Sequence, residues 1–170
     1  MPNKSWVLLL AMLPTGLITG VFYGFSVAIN PALARLPDAV YLETMQAINE
    51  VIQNPLFGLP FFGAPLLLLW ATWLHRRAAR SVAQPLRLAA LLYLVGNLGV
   101  TLGANVPLNE ELAAFPIAHA QASQVATLRT HFARTWTGWH TVRTVASVGA
   151  WGLLLAACLA DATPRAQKKA

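Results

Sequence analysis

Charge is what this sequence has least of. Asp, Glu, Lys and Arg make up only 11% of its 170 residues, against about 25% in soluble domains. Six residues are acidic, while 56% are apolar. Such a chain cannot cover a water-facing surface, which excludes an ordinary soluble domain. Cysteine is nearly absent. Cys158 stands alone in an apolar run, which excludes an intrachain disulfide and a cysteine-based metal cluster and leaves a small apolar filler. Flavin, haem and nucleotide motifs are missing, so no cofactor is expected, and no internal repeat is visible. The formal charge of +6 does not indicate nucleic acid. The basic residues sit at the ends of apolar segments, as the positive-inside rule expects, and not on one amphipathic surface.

What the sequence does have is four long uncharged stretches. They predict an all-α, four-helix transmembrane bundle, with spans at about 6–29, 55–74, 86–104 and 136–159. Residues 1–160 read as one membrane domain and 161–170 as a basic cytoplasmic tail. The first apolar run is longer than the roughly 7–15-residue core of a signal peptide, so it reads as a retained helix despite Ala32-Leu33-Ala34. Asn30-Pro31 reads as its end. Pro37 and Asp38 then start an amphipathic helix with the stripe Tyr41, Met45, Ile48 and Ile52. It is expected to lie at the membrane surface or over the mouth of the bundle, and Asn54-Pro55 ends it. Pro60 and Pro65 fall inside the second span, where neighbouring helices can absorb a kink. His75, Arg76, Arg77, Arg80 and Arg87 form a loop without acids. Pro107 suits the first turn of a new helix. Val125, Leu128 and Phe132 mark a further helix that runs towards the fourth span, with Gly138 near the joint.

The charges set an orientation. Lys4, Arg76, Arg77, Arg80, Arg87, Arg165, Lys168 and Lys169 flank one side; Arg35, Arg129, Arg134 and Arg143 lie on the other with most of the acids. Both termini are therefore expected in the cytoplasm, in a multi-pass protein of the inner membrane.

Trp136–Thr144 (WTGWHTVRT) concentrates the chemistry. Trp136, His140, Arg143 and Ser147 fall at i, i+4, i+7 and i+11, one helical face. A titratable base and a fixed cation thus enter a membrane span together, where ionisable groups mark a site by default. Helix 1 brings Tyr23, Ser26 and Asn30 to the same level, and helix 3 brings Asn97, Thr101, Asn105 and Asn109. Gln46 and Asn49 from the amphipathic helix cap them. The pattern predicts a small-molecule pocket at the outer end of the bundle. His140, Arg143, Asn97 and Asn105 are its candidate catalytic residues. Tyr23, Ser26, Asn30, Gln46, Asn49, Asn109, Trp136 and Trp139 are its candidate substrate contacts. The same polar groups also fit helix-to-helix hydrogen bonds and an aromatic belt. A metal site from His119, His131 and His140 with Glu110 or Glu111 lacks the tight spacing of known helical motifs, so no metal is expected. The expected partners are the bilayer and a lipophilic small molecule, with no nucleic acid; homo-oligomerisation is left open.

Asn30-Pro31, Met45-Gln46-x-x-Asn49, Asn54-Pro55, Gly96-Asn97, Asn105-Val-Pro-Leu-Asn109 and Trp136-x-x-Trp139-His140-x-x-Arg143 together resemble the anthrone oxygenase-like family of small membrane proteins. The resemblance covers roughly residues 6–160. It implies a four-helix membrane fold and, for the fungal polyketide-pathway members, oxidation of an anthrone to an anthraquinone by molecular oxygen. A flat phenolic tricycle would partition into an apolar bundle, and its deprotonated methylene would react with oxygen without a cofactor. In that reading His140 is the base, Arg143 with Asn97 or Asn105 stabilises the enolate oxygen, and Trp136 and Tyr23 stack on the ring. The competing readings are a non-catalytic lipid- or partner-binding membrane protein and a metal-dependent membrane oxidoreductase.

Overall fold

In the computed structural model, which describes residues 5–163, long helices follow one another with short connections. They are α1 (Ser5–Leu33), α2 (Asp38–Val51), α3 (Pro55–Leu74), α4 (Arg80–Ala114) and α5 (Ala122–Ala162). A single 3-10 turn, Ile117–His119, lies between α4 and α5. Helices α1, α3, α4 and α5 are long and apolar enough to cross a bilayer, and the chain is an all-α, multi-pass membrane protein. Lys4 and the tail from Pro164 onwards fall outside the described residues.

Four expected boundaries are moved by the structure. Asn30-Pro31 does not end α1, which runs on to Leu33. Pro31 has no N–H for the carbonyl four residues back, and its ring would press on that carbonyl. The preceding turn, Phe25–Ile29, widens into a π-helix instead, with Asn30 N–H bonding to Phe25 O. The same device recurs before Pro107, where Leu92–Gly99 and Thr101–Asn105 are π-helical and α4 continues to Ala114. Helix α4 also begins earlier than expected, at Arg80, and carries Pro85 inside it. The helix of Val125, Leu128 and Phe132 is the start of α5, which passes Gly138 without a joint.

Two apolar clusters hold the bundle. One joins Val7, Leu8 and Ala11 of α1 to Ala64 and Leu68 of α3, Leu86 and Tyr93 of α4, and Ala150 and Leu154 of α5. Small side chains let the backbones approach, as in other membrane bundles. A Cβ on Gly96 would lie 2.5 Å from Cβ of Ala146. Pro65 leaves the Phe61 carbonyl without its helical donor, and the buried Tyr93 hydroxyl donates to it at 3.1 Å. The second cluster places Tyr41, Leu42 and Met45 of α2 against Leu112, Val125, Phe132 and Trp136. The expected stripe of α2 therefore packs inward through Tyr41 and Met45, while Ile48 and Ile52 are half-buried. Gln46 Nε2 donates to Leu112 O at 2.7 Å and to Phe115 O at 3.3 Å, which ties α2 to the end of α4. Helix α2 thus caps one end of the bundle. Burial lowers the acidity of the Tyr41 hydroxyl, raising its pKa above the ordinary value, while Arg129 pulls the other way. The Arg129 guanidinium lies 3.3 Å from the Tyr41 ring centre.

Candidate functional site

On α1, α4 and α5, a band of polar residues lies between the two apolar clusters. On α5 it comprises His140, Arg143, Thr144 and Ser147; on α4, Asn97, Thr101 and Asn105; on α1, Thr19 and Ser26. Trp136, His140, Arg143 and Ser147 are all buried, at 3%, 1%, 8% and 0% exposure, so the face read from the sequence points inward. Ser26, Asn97, Thr101 and Asn105 lie on the π-helical turns. Widened turns re-aim side chains and recur at functional sites.

The hydrogen bonds set the state of His140. Arg143 donates to its Nδ1 from Nε at 3.1 Å and from Nη2 at 3.0 Å. A guanidinium has no acceptor, so Nδ1 carries the lone pair. On the other side, Nε2 lies 3.1 Å from Phe22 O. A carbonyl only accepts, so Nε2 carries the proton. The rest of the network agrees with this neutral tautomer. Ser26 Oγ lies 3.1 Å from Nε2 and 3.2 Å from Thr144 Oγ1, and the Thr144 hydroxyl donates to His140 O at 2.7 Å. The imidazole also stacks on Trp136, with ring centres 4.9 Å apart and an 8° angle between planes.

Arg143 is the buried cation of this band. Its third hydrogen bond goes from Nη1 to Thr101 Oγ1 at 3.4 Å. Its guanidinium lies 4.3 Å from the Phe22 ring centre and 5.2 Å from that of Trp136. Every partner is neutral, and among the described residues no carboxylate pairs with it. Among the described residues, three of its five N–H donors are engaged and two are left over.

Beside it is a cavity of about 1010 Å³ at the α2-capped end. Phe22, Phe25, Phe57, Phe61 and Trp136 form its apolar walls, and Arg143 and Thr101 its polar inner side. Its rim carries Glu50, Gln53, Asn54 and Glu110, all exposed. The volume is at the upper end of the usual small-molecule range.

The structure brings some candidates to this cavity and leaves others away from it. Arg143, Trp136, Gln46, Asn49 and Asn109 line it; His140, Asn97, Asn105, Ser26 and Asn30 do not. Asn97 Nδ2 donates to Ser147 Oγ at 2.6 Å, and Asn105 Nδ2 to Trp136 O at 3.3 Å. Both asparagines commit donors to α5, and the Oδ1 of each is buried without a partner among the described residues. Asn109 Oδ1 accepts from Trp136 Nε1 at 2.8 Å, which orients the indole that supports His140. The Nδ2 atoms of Asn30 and Asn49 are buried without a partner among the described residues. Tyr23 is 57% exposed and Trp139 43%, so both face outward. The proposed stacking of Tyr23 on a ligand has no geometric support. The metal grouping is not assembled either: His119 and His131 are exposed, and among the described residues no three His, Cys, Asp or Glu side chains are placed to hold an ion. The sequence reading missed Phe22 and Thr144. Each is four residues from a named polar residue on the same helix, Ser26 and His140, so helical spacing was the available signal.

A family model described as anthrone oxygenase matches residues 50–153 of the chain, more than half of its length. No curated protein and no solved structure matches it.

Proposed function

Since the chain belongs to the anthrone oxygenase family, we propose that it is a membrane-embedded oxygenase of a lipophilic, enolisable phenolic substrate. The observation that supports this reading is the unneutralised guanidinium of Arg143 on the inner side of an aromatic-walled cavity. Keeping a cation buried without an acid is costly, and an anion arising on the ligand would offset that cost.

The chemistry follows. An anthrone-like methylene loses a proton to water at the polar rim, and the electrons delocalise onto the ring oxygen. Two free N–H groups of Arg143 hold that enolate oxygen in a site poor in water, where charge–charge attraction is strong. The carbanion carbon attacks dioxygen, forming a C–O bond and a peroxide. Loss of the remaining C–H proton with cleavage of O–O releases water and leaves the quinone carbonyl. One anthrone and one dioxygen become one anthraquinone and one water, and the carbon framework supplies the electrons. The apolar walls, led by Trp136, bind the flat rings. The flanking cations support an orientation with both termini in the cytoplasm of the inner membrane.

The test is oxygen uptake by the purified protein in lipid vesicles with anthrone as substrate, following quinone absorbance. Uptake and quinone should appear in a 1:1 ratio, above the rate in protein-free vesicles. Anthrone oxidised no faster than in those vesicles would refute the oxygenase reading. For topology, reporter fusions after Ala170 and within residues 78–84 should both report the cytoplasm, and an external signal from either would overturn the orientation.

A further inference from the structure

We infer that His140 is a positioning residue that aims Arg143 at the ligand, and that it is not the base of the reaction. Its kinetic consequence rests on the oxygenase reading above; its effect on ligand charge does not.

His140 has a single lone pair to offer. A neutral imidazole has one protonated and one bare nitrogen. The bare one, Nδ1, accepts two bonds from Arg143, at 3.1 and 3.0 Å. The protonated one, Nε2, faces the backbone carbonyl of Phe22. Neither nitrogen is directed to the cavity, whose lining includes Arg143 but not His140. To act as a base, His140 would have to release Arg143 and then carry a positive charge beside a guanidinium. Like charges that close repel strongly where water is scarce.

As a positioning group, the same arrangement is well built. Imidazole Nδ1 engages both Nε and Nη2, the same edge of the guanidinium, and so sets the rotation of its plane. Thr101 takes one N–H from Nη1 at 3.4 Å. The uncommitted N–H groups are left beside the cavity. The imidazole is itself held between the Trp136 stack and the Phe22 carbonyl. Trp136 is tied in turn to Asn109 and Asn105. The asparagines of the Asn105-Val-Pro-Leu-Asn109 block thus serve Arg143 through Trp136 and His140, a role that spacing alone did not suggest.

Two variants separate the roles. His140→Asn places an amide oxygen near the position of Nδ1, so it can still accept from Arg143 but cannot act as a base. His140→Leu removes the acceptor. The first readout is optical and needs no turnover. 1-Hydroxyanthraquinone in phosphatidylcholine vesicles changes absorbance when its phenol ionises. Bound to wild-type protein, it should ionise at a pH lower by about one unit or more than in protein-free vesicles, at least a tenfold change in ionisation. His140→Asn should keep that shift and His140→Leu should lose it. The second readout is anthrone turnover. His140→Leu should fall towards the about 10²–10³-fold loss seen when an oxyanion donor is removed. His140→Asn should stay within about tenfold of wild type, the scale of one neutral hydrogen bond.

If His140→Asn keeps the optical shift yet loses turnover by about 10²-fold or more, as removal of a general base would, His140 is the base and the inference is wrong. An unchanged shift in His140→Leu would also overturn it, because Arg143 would then need no positioning. Should His140→Leu not fold, His140→Asn still decides between base and acceptor. Should wild type show the optical pattern but no turnover, the oxygenase reading fails and the positioning role stands.

Discussion

Replacing Arg143 by Met should move stability and activity in opposite directions, or leave stability level while activity falls. Methionine keeps a long apolar stem against Phe22 and Trp136 but carries no charge. Arg143 is 8% exposed and, among the described residues, its partners are neutral. Arg in the middle of a span costs up to about 2.5–3.5 kcal/mol. That cost disappears in the variant. Against it, Nδ1 of His140 becomes a buried acceptor without a donor, at about 1–3 kcal/mol. The two terms nearly cancel, so the variant should unfold in a denaturing-detergent titration at or above the wild-type midpoint. Turnover of anthrone should drop by about 10²–10³-fold, because the group facing the developing enolate is gone. Arg143→Lys should also lose turnover, since an ammonium cannot engage His140 Nδ1 and the ligand through a planar fork. The experiment pairs the unfolding titration with oxygen uptake in vesicles. A strongly destabilised Arg143→Met would show that the cation is structural. A folded variant with wild-type turnover would remove Arg143 from the chemistry.

Gly96→Ala should destabilise the bundle by about 1–3 kcal/mol, the usual cost of overpacking, because its Cβ would meet that of Ala146 at 2.5 Å; adding Ala146→Gly should restore most of the loss, and simple additivity of the two would refute the clash. Alkaline pH should loosen α2: the raised pKa of Tyr41 means its neutral hydroxyl favours the folded state below the ordinary value near 10, and that contribution is lost as the pH rises through the folded value. Tyr41→Phe should remove this alkaline sensitivity, which proteolysis of the α2 connections at graded pH would show. Tyr23→Ala and Trp139→Ala should leave binding of 1-hydroxyanthraquinone within about threefold, well under 1.4 kcal/mol, since both side chains face outward; a larger loss for either would place the ligand elsewhere.

Much of this protein is legible in one dimension. Scarce charge and four uncharged runs determine a helical membrane fold, because only helices or closed barrels satisfy the backbone in lipid. Pro55–Leu74 emerges with the bounds expected from its lack of charge, since Asn54 caps its start through the Phe57 N–H and His75 and Arg76 follow its end. The inward face of α5 was also readable, because helical period alone brings Trp136, His140, Arg143 and Ser147 into line. Local signals failed where a neighbour or a change of helical register decided the outcome. Asn30-Pro31 looks like a stop, yet the chain widens the turn before it and continues. Tyr23 and Ser26 are three residues apart, but only Ser26 meets α5, while Tyr23 faces outward; packing chooses which part of the polar face is used. Most of all, His140 as a residue type suggests a base. Packing against α1 commits its proton to the Phe22 carbonyl, which leaves its lone pair to Arg143 one turn along α5 and so determines which of two adjacent polar groups the cavity meets.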